Sequence, residues 1–221
     1  MSPELAASMQ LAESLLKSRD PEGALRTLRP ALAARPALPR AHMIAAMAML
    51  RQGRPSEAVS HLDIAAAVLD RAVAAPAAFT TLAGHFCGAR AFERAGEVLR
   101  KGRSRFPESA ELAVAEGDHF ERLGRHDHAI TSYRAAIVLA PDSAEARSSL
   151  AIALHKSGDA VAAIDGYRQA LGRGGRSGSI YNNLIAALIA TGSRPRPWRR
   201  PMPGSKPCPE ASKPCPSRPC C

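Results

Sequence analysis

A small residue recurs through the chain at a nearly constant period. Five alanines stand in matching contexts, and successive members are 34, 37, 34 and 34 residues apart. A large side chain follows four residues after each alanine, and a small one three residues after that. Offsets of three and four place side chains on one face of an α-helix, so the period predicts stacked copies of a helical unit. The alanines are Ala24, Ala58, Ala95, Ala129 and Ala163, the large residues are Leu28, Leu62, Leu99, Tyr133 and Tyr167, and the small ones are Ala31, Ala65, Gly102, Ala136 and Ala170.

A second ladder precedes each of these alanines. In it, a small residue is followed three positions later by a large one, which indicates another helix. The small residue allows a neighbouring helix to approach closely, and the large one fills the space beyond it. Each unit is therefore predicted to contain two packed helices. The small positions are Ala12, Ala46, Ala83, Gly117 and Ala151, and the large ones are Leu15, Met49, Phe86, Phe120 and Leu154.

Helix breakers separate the two helices of a unit and also separate successive units. Asp20 is suited to cap a helix, and Pro21 is suited to the first helical position. Glycines between the helices of a unit fit the positive-φ position that ends a helix, and prolines between units stop the second helix. The glycines are Gly53, Gly124 and Gly158, and the prolines are Pro36, Pro107 and Pro141.

These ladders resemble the tetratricopeptide repeat, a helix-turn-helix unit of 34 residues with the signature W-x2-L-G-x2-Y…A-x3-F…P. The unit at 110–143 matches best, although no unit has the signature tryptophan, and Asp70 and Gly175 replace the closing proline. The resemblance implies an all-α, right-handed superhelical solenoid of helix-turn-helix repeats. In the best-matching unit the residues in register are Gly117, Phe120, Gly124, Ala129, Tyr133, Ala136 and Pro141.

The repeat array is predicted to occupy residues 1–192. Its sixth unit is partial and keeps Tyr181 and Leu184 in the expected places, but Ile185 replaces the usual small residue. The units are placed at 5–38, 39–75 (with three extra residues in its second helix), 76–109, 110–143, 144–177 and, in part, 178–192.

Composition excludes several protein classes. The first 192 residues contain a single cysteine, Cys87, which argues against a secreted disulfide scaffold. The amino-terminal segment lacks the features of a signal peptide, and no apolar run reaches the length of about 20 residues that a membrane span needs. Together these observations predict a cytoplasmic location and no membrane span.

The family resemblance implies a groove lined by the first helix of each unit. Apolar, methionine-rich residues are expected in its middle and mixed, partly acidic residues in its later part. An alternative for Met43 and Met47 is packing against adjacent repeats, because methionine often fills core gaps. By register, the lining residues are Met9, Glu13, Lys17, Arg40, Met43, Met47, Arg51, Thr80, Gly84, Cys87, Glu111, Asp118, Glu121, Arg122, Glu145, Ser148, Ile152, His155 and Lys156. The partner-binding residues chosen from this set are Met43, Met47, Arg51, Glu121, Arg122, His155 and Lys156.

Two partner classes known for this family are disfavoured by the residues present. A carboxylate clamp for chaperone C-termini needs lysine and asparagine where the first unit has Met9 and Glu13. The asparagine ladder of sugar-transferase arrays is also missing, since only Asn183 falls in that column.

No residue pattern indicates catalysis, a metal site or a cofactor. His126, Asp127 and His128 could bind a metal, but a solvated turn explains them better. His85 and His119 occupy equivalent positions in successive units, which periodic packing explains, and Cys87 is expected to be a small apolar residue of the groove or core. The segment 171–179, LGRGGRSGS, fits no phosphate-loop pattern and is interpreted as a connection between units.

The last 29 residues differ from the rest of the chain. Residues 193–221 carry seven of the 30 basic residues, one acidic residue, nine of the 18 prolines and four of the five cysteines. Prolines at this density predict a disordered segment. Its basic residues around Trp198 could bind nucleic acid, and its cysteines could bind a metal, but we favour a frameshift product. The net charge of +10 is therefore weak support for a specific nucleic-acid partner.

By resemblance, the predicted function is non-catalytic: a protein-protein interaction scaffold that binds a segment of a partner protein in its concave groove. The alternative is the N-terminal substrate-recruiting array of a truncated bacterial sulfotransferase or glycosyltransferase, whose catalytic part would lie beyond residue 192. Translating the nucleotide sequence after codon 192 in the other two frames distinguishes these possibilities.

Overall fold

The computed structural model describes residues 3–70 and 74–192, which form eleven α-helices and contain no strand. The expectations for the tail (disorder, a frameshift, nucleic-acid or metal binding, a lost catalytic domain) all fall on 193–221 or beyond, outside the described residues. The helices are α1 (Pro3–Lys17), α2 (Pro21–Ala34), α3 (Pro39–Arg51), α4 (Pro55–Leu69), α5 (Pro76–Gly88), α6 (Phe92–Arg105), α7 (Ala110–Arg122), α8 (His126–Leu139), α9 (Ala144–Lys156), α10 (Ala160–Gly172) and α11 (Gly178–Ala190).

Each odd-numbered helix ends in the same tight turn, two residues after its last helical residue. The predicted positive-φ glycines Gly53, Gly124 and Gly158 adopt φ values of +73°, +71° and +95°. Arg19 and Arg90 hold the equivalent position with φ values of +64° and +60°. This conformation lets the next backbone N–H bond back to a carbonyl of the preceding helix, which ends the helix with its polar groups satisfied.

The extra length of the second unit falls between the starts of α4 and α5. α4 is one residue longer than α2, α6 and α8, and ends at Leu69 with Asp70 as its C-cap. The next helix begins only at Pro76, and residues 71–73 lie outside the described ranges. In the later connection, 171–179, Gly174 has a φ of +86° and Ser177 caps α11, so this segment joins two helices as expected.

The small residues of the predicted ladder are the points of closest helix contact. A Cβ added to Gly117 would lie 2.4 Å from a ring carbon of Tyr133, and one added to Gly166 would lie 2.9 Å from the Cβ of Ala151. The large residues of the second helices, Leu28, Leu62, Leu99, Tyr133 and Tyr167, are at most 2% exposed. Small and large residues therefore interlock in each helix pair, as the sequence ladders predicted.

The helices form two layers with unequal contacts. Each odd-numbered helix packs against the next odd-numbered helix, from α1 through α11, as well as against its even-numbered neighbours. Within the described ranges, no pair of even-numbered helices packs together to a comparable extent. The layer whose members lie close together has the smaller radius of curvature, so the odd-numbered helices line the concave side of the array.

On the convex side, a gap between α4 and α6 is bridged by charged side chains. Arg94 Nε lies 3.6 Å from an oxygen of Asp63, and Lys101 pairs with Asp70. A cleft of about 290 Å³ lies beneath these pairs and has Phe86 among its lining residues. α4 and α6 are thus spaced apart and connected by long side chains.

Candidate binding groove

The first part of the concave face is apolar and half-buried. Met43 packs against the core cluster that spans α3 to α7, and Met47 packs against the cluster of α1 to α3. Both methionines keep part of their surface exposed. Each side chain therefore packs between repeats, which is the alternative raised by the sequence, while part of its surface stays exposed.

The groove has open space at α5. A Cβ added to Gly84 would meet nothing within 4 Å, and this residue is exposed. One turn further on, Cys87 is 8% exposed, and burial raises the pKa of its thiol. Cys87 is thus a small apolar residue of the buried core, one of the two places predicted for it, and Gly84 leaves open space one turn before it.

An acidic recess of about 420 Å³ follows, between α5, α7 and the start of α9. Thr80 Oγ1 donates to Glu111 Oε1 across 2.7 Å, and Tyr133 Oη donates to Asp118 Oδ1 across 2.7 Å. Burial and then the bond to Asp118 raise the pKa of Tyr133 far above its ordinary value, so the phenol remains a donor. The lining residues are Thr80, Ala110, Glu111, Val114, Ala115, Asp118, Ser143 and Glu145, which include three carboxylates and no basic residue.

The carboxylate of Glu121 is paired with side chains of the array itself. Lys156 Nζ from α9 lies 2.6 Å from one oxygen, and His126 Nδ1 lies 2.7 Å from the other. Burial opposes ionisation of this side chain, which is 10% exposed, but the two hydrogen bonds outweigh it and lower the pKa of Glu121. Glu121 and Lys156, both predicted to bind a partner, lie together and hold α7 against α9.

The other predicted partner-binding residues are dispersed. Arg51 is exposed at the end of α3, and its guanidinium donates to the carbonyl of Leu16. Arg122 is exposed on α7, and His155 is half-buried on α9. The predicted residues are therefore distributed over α3, α7 and α9.

The acidic recess is a feature that the predicted partner-binding residues do not include. Register places Thr80, Glu111, Asp118 and Glu145 along the groove, but these four are not among the predicted partner-binding residues. The available signal was the lack of basic residues among these positions. A second missed feature is the contact of 2.9 Å between the Nδ1 atoms of His42 and His61, which the structure brings together from α3 and α4.

No group of three or more histidine, cysteine, aspartate or glutamate side chains converges as a metal site within 3–70 and 74–192. Across the same ranges, no helix combines the length and apolar character needed to cross a bilayer.

Comparisons with known proteins agree with the fold. The family profile described as tetratricopeptide repeat matches residues 9–77, 81–144 and 114–178. Among solved structures, PilF from Pseudomonas aeruginosa is 20% identical, with a TM-score of 0.65 and 86% of each chain covered. PilW, a type IV pilus biogenesis factor, is 14% identical, with a TM-score of 0.69, and the match covers 88% of this chain and 89% of PilW.

A third solved structure is a thermophilic tetratricopeptide repeat protein from Thermus thermophilus. It is 22% identical, with a TM-score of 0.59, and the match covers 84% of this chain and 99% of the other. No curated protein matches the sequence. Identities this low show likeness of fold, whereas the family profile extends over most of the array. The chain therefore belongs to the tetratricopeptide repeat family.

Proposed function

We propose that this protein is a non-catalytic interaction scaffold whose concave face binds one segment of a partner protein. The observation that carries the proposal is the change of character along one continuous face. An apolar stretch at Met43, Met47 and Gly84 leads into the acidic recess at Glu111 and Glu145. A single extended or helical segment can contact both parts.

The two parts specify the chemistry of the partner segment. Apolar side chains fit the stretch on α3 and α5, where methionine adapts to the shape of its ligand. Lysine or arginine fits the recess, because Glu145 and Asp118 keep carboxylate oxygens at its wall without a basic neighbour among the lining residues. The expected partner segment therefore carries apolar anchors followed by basic residues.

The proposal is tested by filling the groove without disturbing the fold. Gly84→Trp places a large side chain in the open space at α5. Gly172→Trp is the matched control, because a Cβ there also meets nothing within 4 Å but lies on α10, in the outer layer. We expect pull-downs followed by mass spectrometry to recover the same partners with the wild type and Gly172→Trp, and to lose them with Gly84→Trp.

A charge reversal tests the partner chemistry. Glu145→Lys places a cation at the recess, whereas Glu108→Lys changes the same charge in the exposed loop between α6 and α7. The first variant should weaken binding of the recovered partner, measured by calorimetry, and the second should leave it unchanged.

Equal retention of all partners by Gly84→Trp would show that the groove is not the binding surface.

A further inference from the structure

Three cationic side chains meet at the first turn of the array. A recess of about 390 Å³ lies between the turn that joins α1 to α2 and the end of α3, and Lys17, Arg19, Pro21 and Arg51 line it. Arg51 donates from Nη1 to the carbonyl oxygen of Leu16, which holds its guanidinium between α3 and α1. Within 3–70 and 74–192, no carboxylate lies at ion-pairing distance from any of these three cations. This recess is the basic pocket.

The acidic residues nearest in sequence to the basic pocket are engaged elsewhere or lie outside its lining. Asp20 accepts from Gly23 N across 2.8 Å at the start of α2. Glu13 on α1 lies 2.8 Å from Arg40. Glu22 is exposed and is not among the lining residues. The lining of the pocket therefore keeps its positive charge.

The fourth unit has an anion at the equivalent position of the array. The recess there, of about 520 Å³, includes the turn after α7 and the end of α9. By register, Lys156 corresponds to Arg51. Glu121 corresponds to Leu16, and its carboxylate lies 2.6 Å from Lys156 Nζ and 2.7 Å from His126 Nδ1. The fourth unit thus supplies its own anion, whereas the first unit has a buried leucine in that place.

The basic pocket is also the most cationic of the equivalent junctions. Each junction combines the last residue of one first helix, the positive-φ residue of the turn that follows, and the last residue of the next first helix. All three are cations at the first junction. At the other four described junctions a glycine or alanine takes at least one of the positions, and these residues are Gly53, Gly88, Gly124, Gly158 and Ala190.

We propose that the basic pocket binds a phosphate group, carried either by a free phosphate compound or by a phosphorylated side chain. A phosphate group has close to two negative charges at pH 7.5 and several acceptor oxygens, so it can bond to two guanidinium groups and an ammonium group together. The carboxylate of Glu121 bonds to two side chains in the fourth unit. A third cation favours the more highly charged anion. Phosphate binding here does not depend on the partner segment proposed above, and its test needs no partner protein.

The exposure of the three side chains sets the expected affinity. Exposed charges attract an ion only weakly in water, so we expect a dissociation constant for inorganic phosphate of about 1–10 mM. Added sodium chloride should weaken binding, because salt screens the attraction between the anion and the pocket.

Titration of the full chain with inorganic phosphate, followed by ¹H–¹⁵N NMR, tests the proposal. The Nε–Hε signals of Arg19 and Arg51 and the backbone amide signals of 17–23 should shift and saturate. Sodium chloride or sodium acetate at the same ionic strength should not reproduce these shifts. Signals assigned to single residues separate the pocket from the basic residues of 193–221.

A second probe, O-phosphoserine, distinguishes the two sources of the phosphate group. Tighter binding of O-phosphoserine than of inorganic phosphate supports a phosphorylated side chain as the ligand. Equal or weaker binding supports a free phosphate compound.

A matched pair of variants tests the role of the pocket. Arg19→Gly removes one cation at a position where the φ of +64° suits glycine, so the fold should be kept. Arg90→Gly is the control, because it removes the same charge at the equivalent turn of the third unit, where φ is +60°. We expect Arg19→Gly to weaken phosphate binding roughly tenfold and Arg90→Gly to bind like the wild type. Urea midpoints at or above that of the wild type would show that both variants fold.

Three results would overturn the proposal. The first is that neither probe shifts the pocket signals of the wild type. The second is that chloride or acetate shifts them equally at the same ionic strength. The third is that Arg19→Gly and Arg90→Gly bind phosphate with the same affinity.

Discussion

Arg19 and Arg90 occupy a backbone position for which glycine is better suited. Their φ values of +64° and +60° place a Cβ close to the following carbonyl, which costs about 1 kcal/mol at a single residue. Equivalent turns in other units use Gly53, Gly124 and Gly158. The arginines are tolerated because the helices on both sides fix the turn, so the strain is maintained by the packing of the helix pair.

Arg90→Gly should therefore stabilise the protein by about 0.5–1 kcal/mol, because glycine adopts this φ without strain. Gly124→Ala should destabilise it by a similar amount for the same reason. Urea unfolding followed by circular dichroism measures both changes. Equal midpoints for Arg90→Gly and the wild type would mean that the arginine is not strained in this turn.

Several histidines are held in environments that disfavour their charged form. Burial and then the charge of nearby His42 lower the pKa of His61, and burial lowers the pKa of His85 and His119. His42 is 5% exposed, and its Nε2 donates to the carbonyl of Pro36 across 2.8 Å. Its Nδ1 then accepts from His61, a contact that cannot persist once both rings are protonated.

The stability of the fold should accordingly depend on pH. A group whose pKa is lowered by folding binds fewer protons in the native state, so its stabilisation is complete above the unfolded pKa of about 6.5. That stabilisation is lost as the pH falls through the folded pKa. We expect the free energy of unfolding to decrease between pH 7.5 and 5, and to decrease less in His61→Gln. The exposed His128 supplies the control, since His128→Gln should keep the dependence of the wild type.

The helices differ in how their first turns are capped. Asp20 accepts from Gly23 N across 2.8 Å at the start of α2, and Asp159 accepts from Ala162 N across 3.0 Å at the start of α10. The equivalent residues before the other second helices make no side-chain cap bond, so free N–H groups remain at those helix ends. These residues are Arg54, Ala91 and Arg125.

Ala91→Asp should add the missing cap to α6 and stabilise the protein by about 1 kcal/mol. Asp159→Ala should remove an existing cap and cost about the same. Differential scanning calorimetry would compare both melting temperatures with that of the wild type. A lower melting temperature for Ala91→Asp would show that α6 cannot accept a side-chain cap in this register.

The helices and their ends were largely predictable from the sequence, because spacing determines which residues share a helix face. The ladders, the positive-φ glycines and the cap at Asp20 all follow from local chemistry. The place of Pro30 does not follow from local chemistry in this way, because α2 continues past this proline to Ala34 and keeps Ala31 in the core. In the groove, register could place Glu121 on the right face, but its pairing with Lys156 depends on how far α9 stands from α7.

At the scale of the whole molecule, the core is divided among neighbouring helices. One cluster spans α1 to α3, a second spans α3 to α7, and a third spans α8 to α11. Leu28 belongs to the first and Leu99 to the second, and both are at most 2% exposed. Each unit thus contacts only its neighbours, and stability is the sum of unit and interface contributions.

Leu28→Ala and Leu99→Ala should each cost about 2–5 kcal/mol, because both leave a cavity in a packed cluster. The two substitutions should loosen different parts of the array. Hydrogen exchange should increase only in α1 to α3 for Leu28→Ala, which lies near one end, but from α3 to α7 for Leu99→Ala. Identical exchange patterns would show that the array unfolds as one cooperative unit instead.

Because the contacts of the two layers are unequal, the outer layer of the array deforms more easily than the inner layer. The odd-numbered helices form a packed and therefore stiff inner edge, whereas α4 and α6 are connected by the pairs of Asp63 with Arg94 and Asp70 with Lys101. Long side chains change length by rotating bonds, at far less energetic cost than opening a packed core. Bending is therefore concentrated at the outer edge, and the curvature of the array can change while every helix pair stays intact.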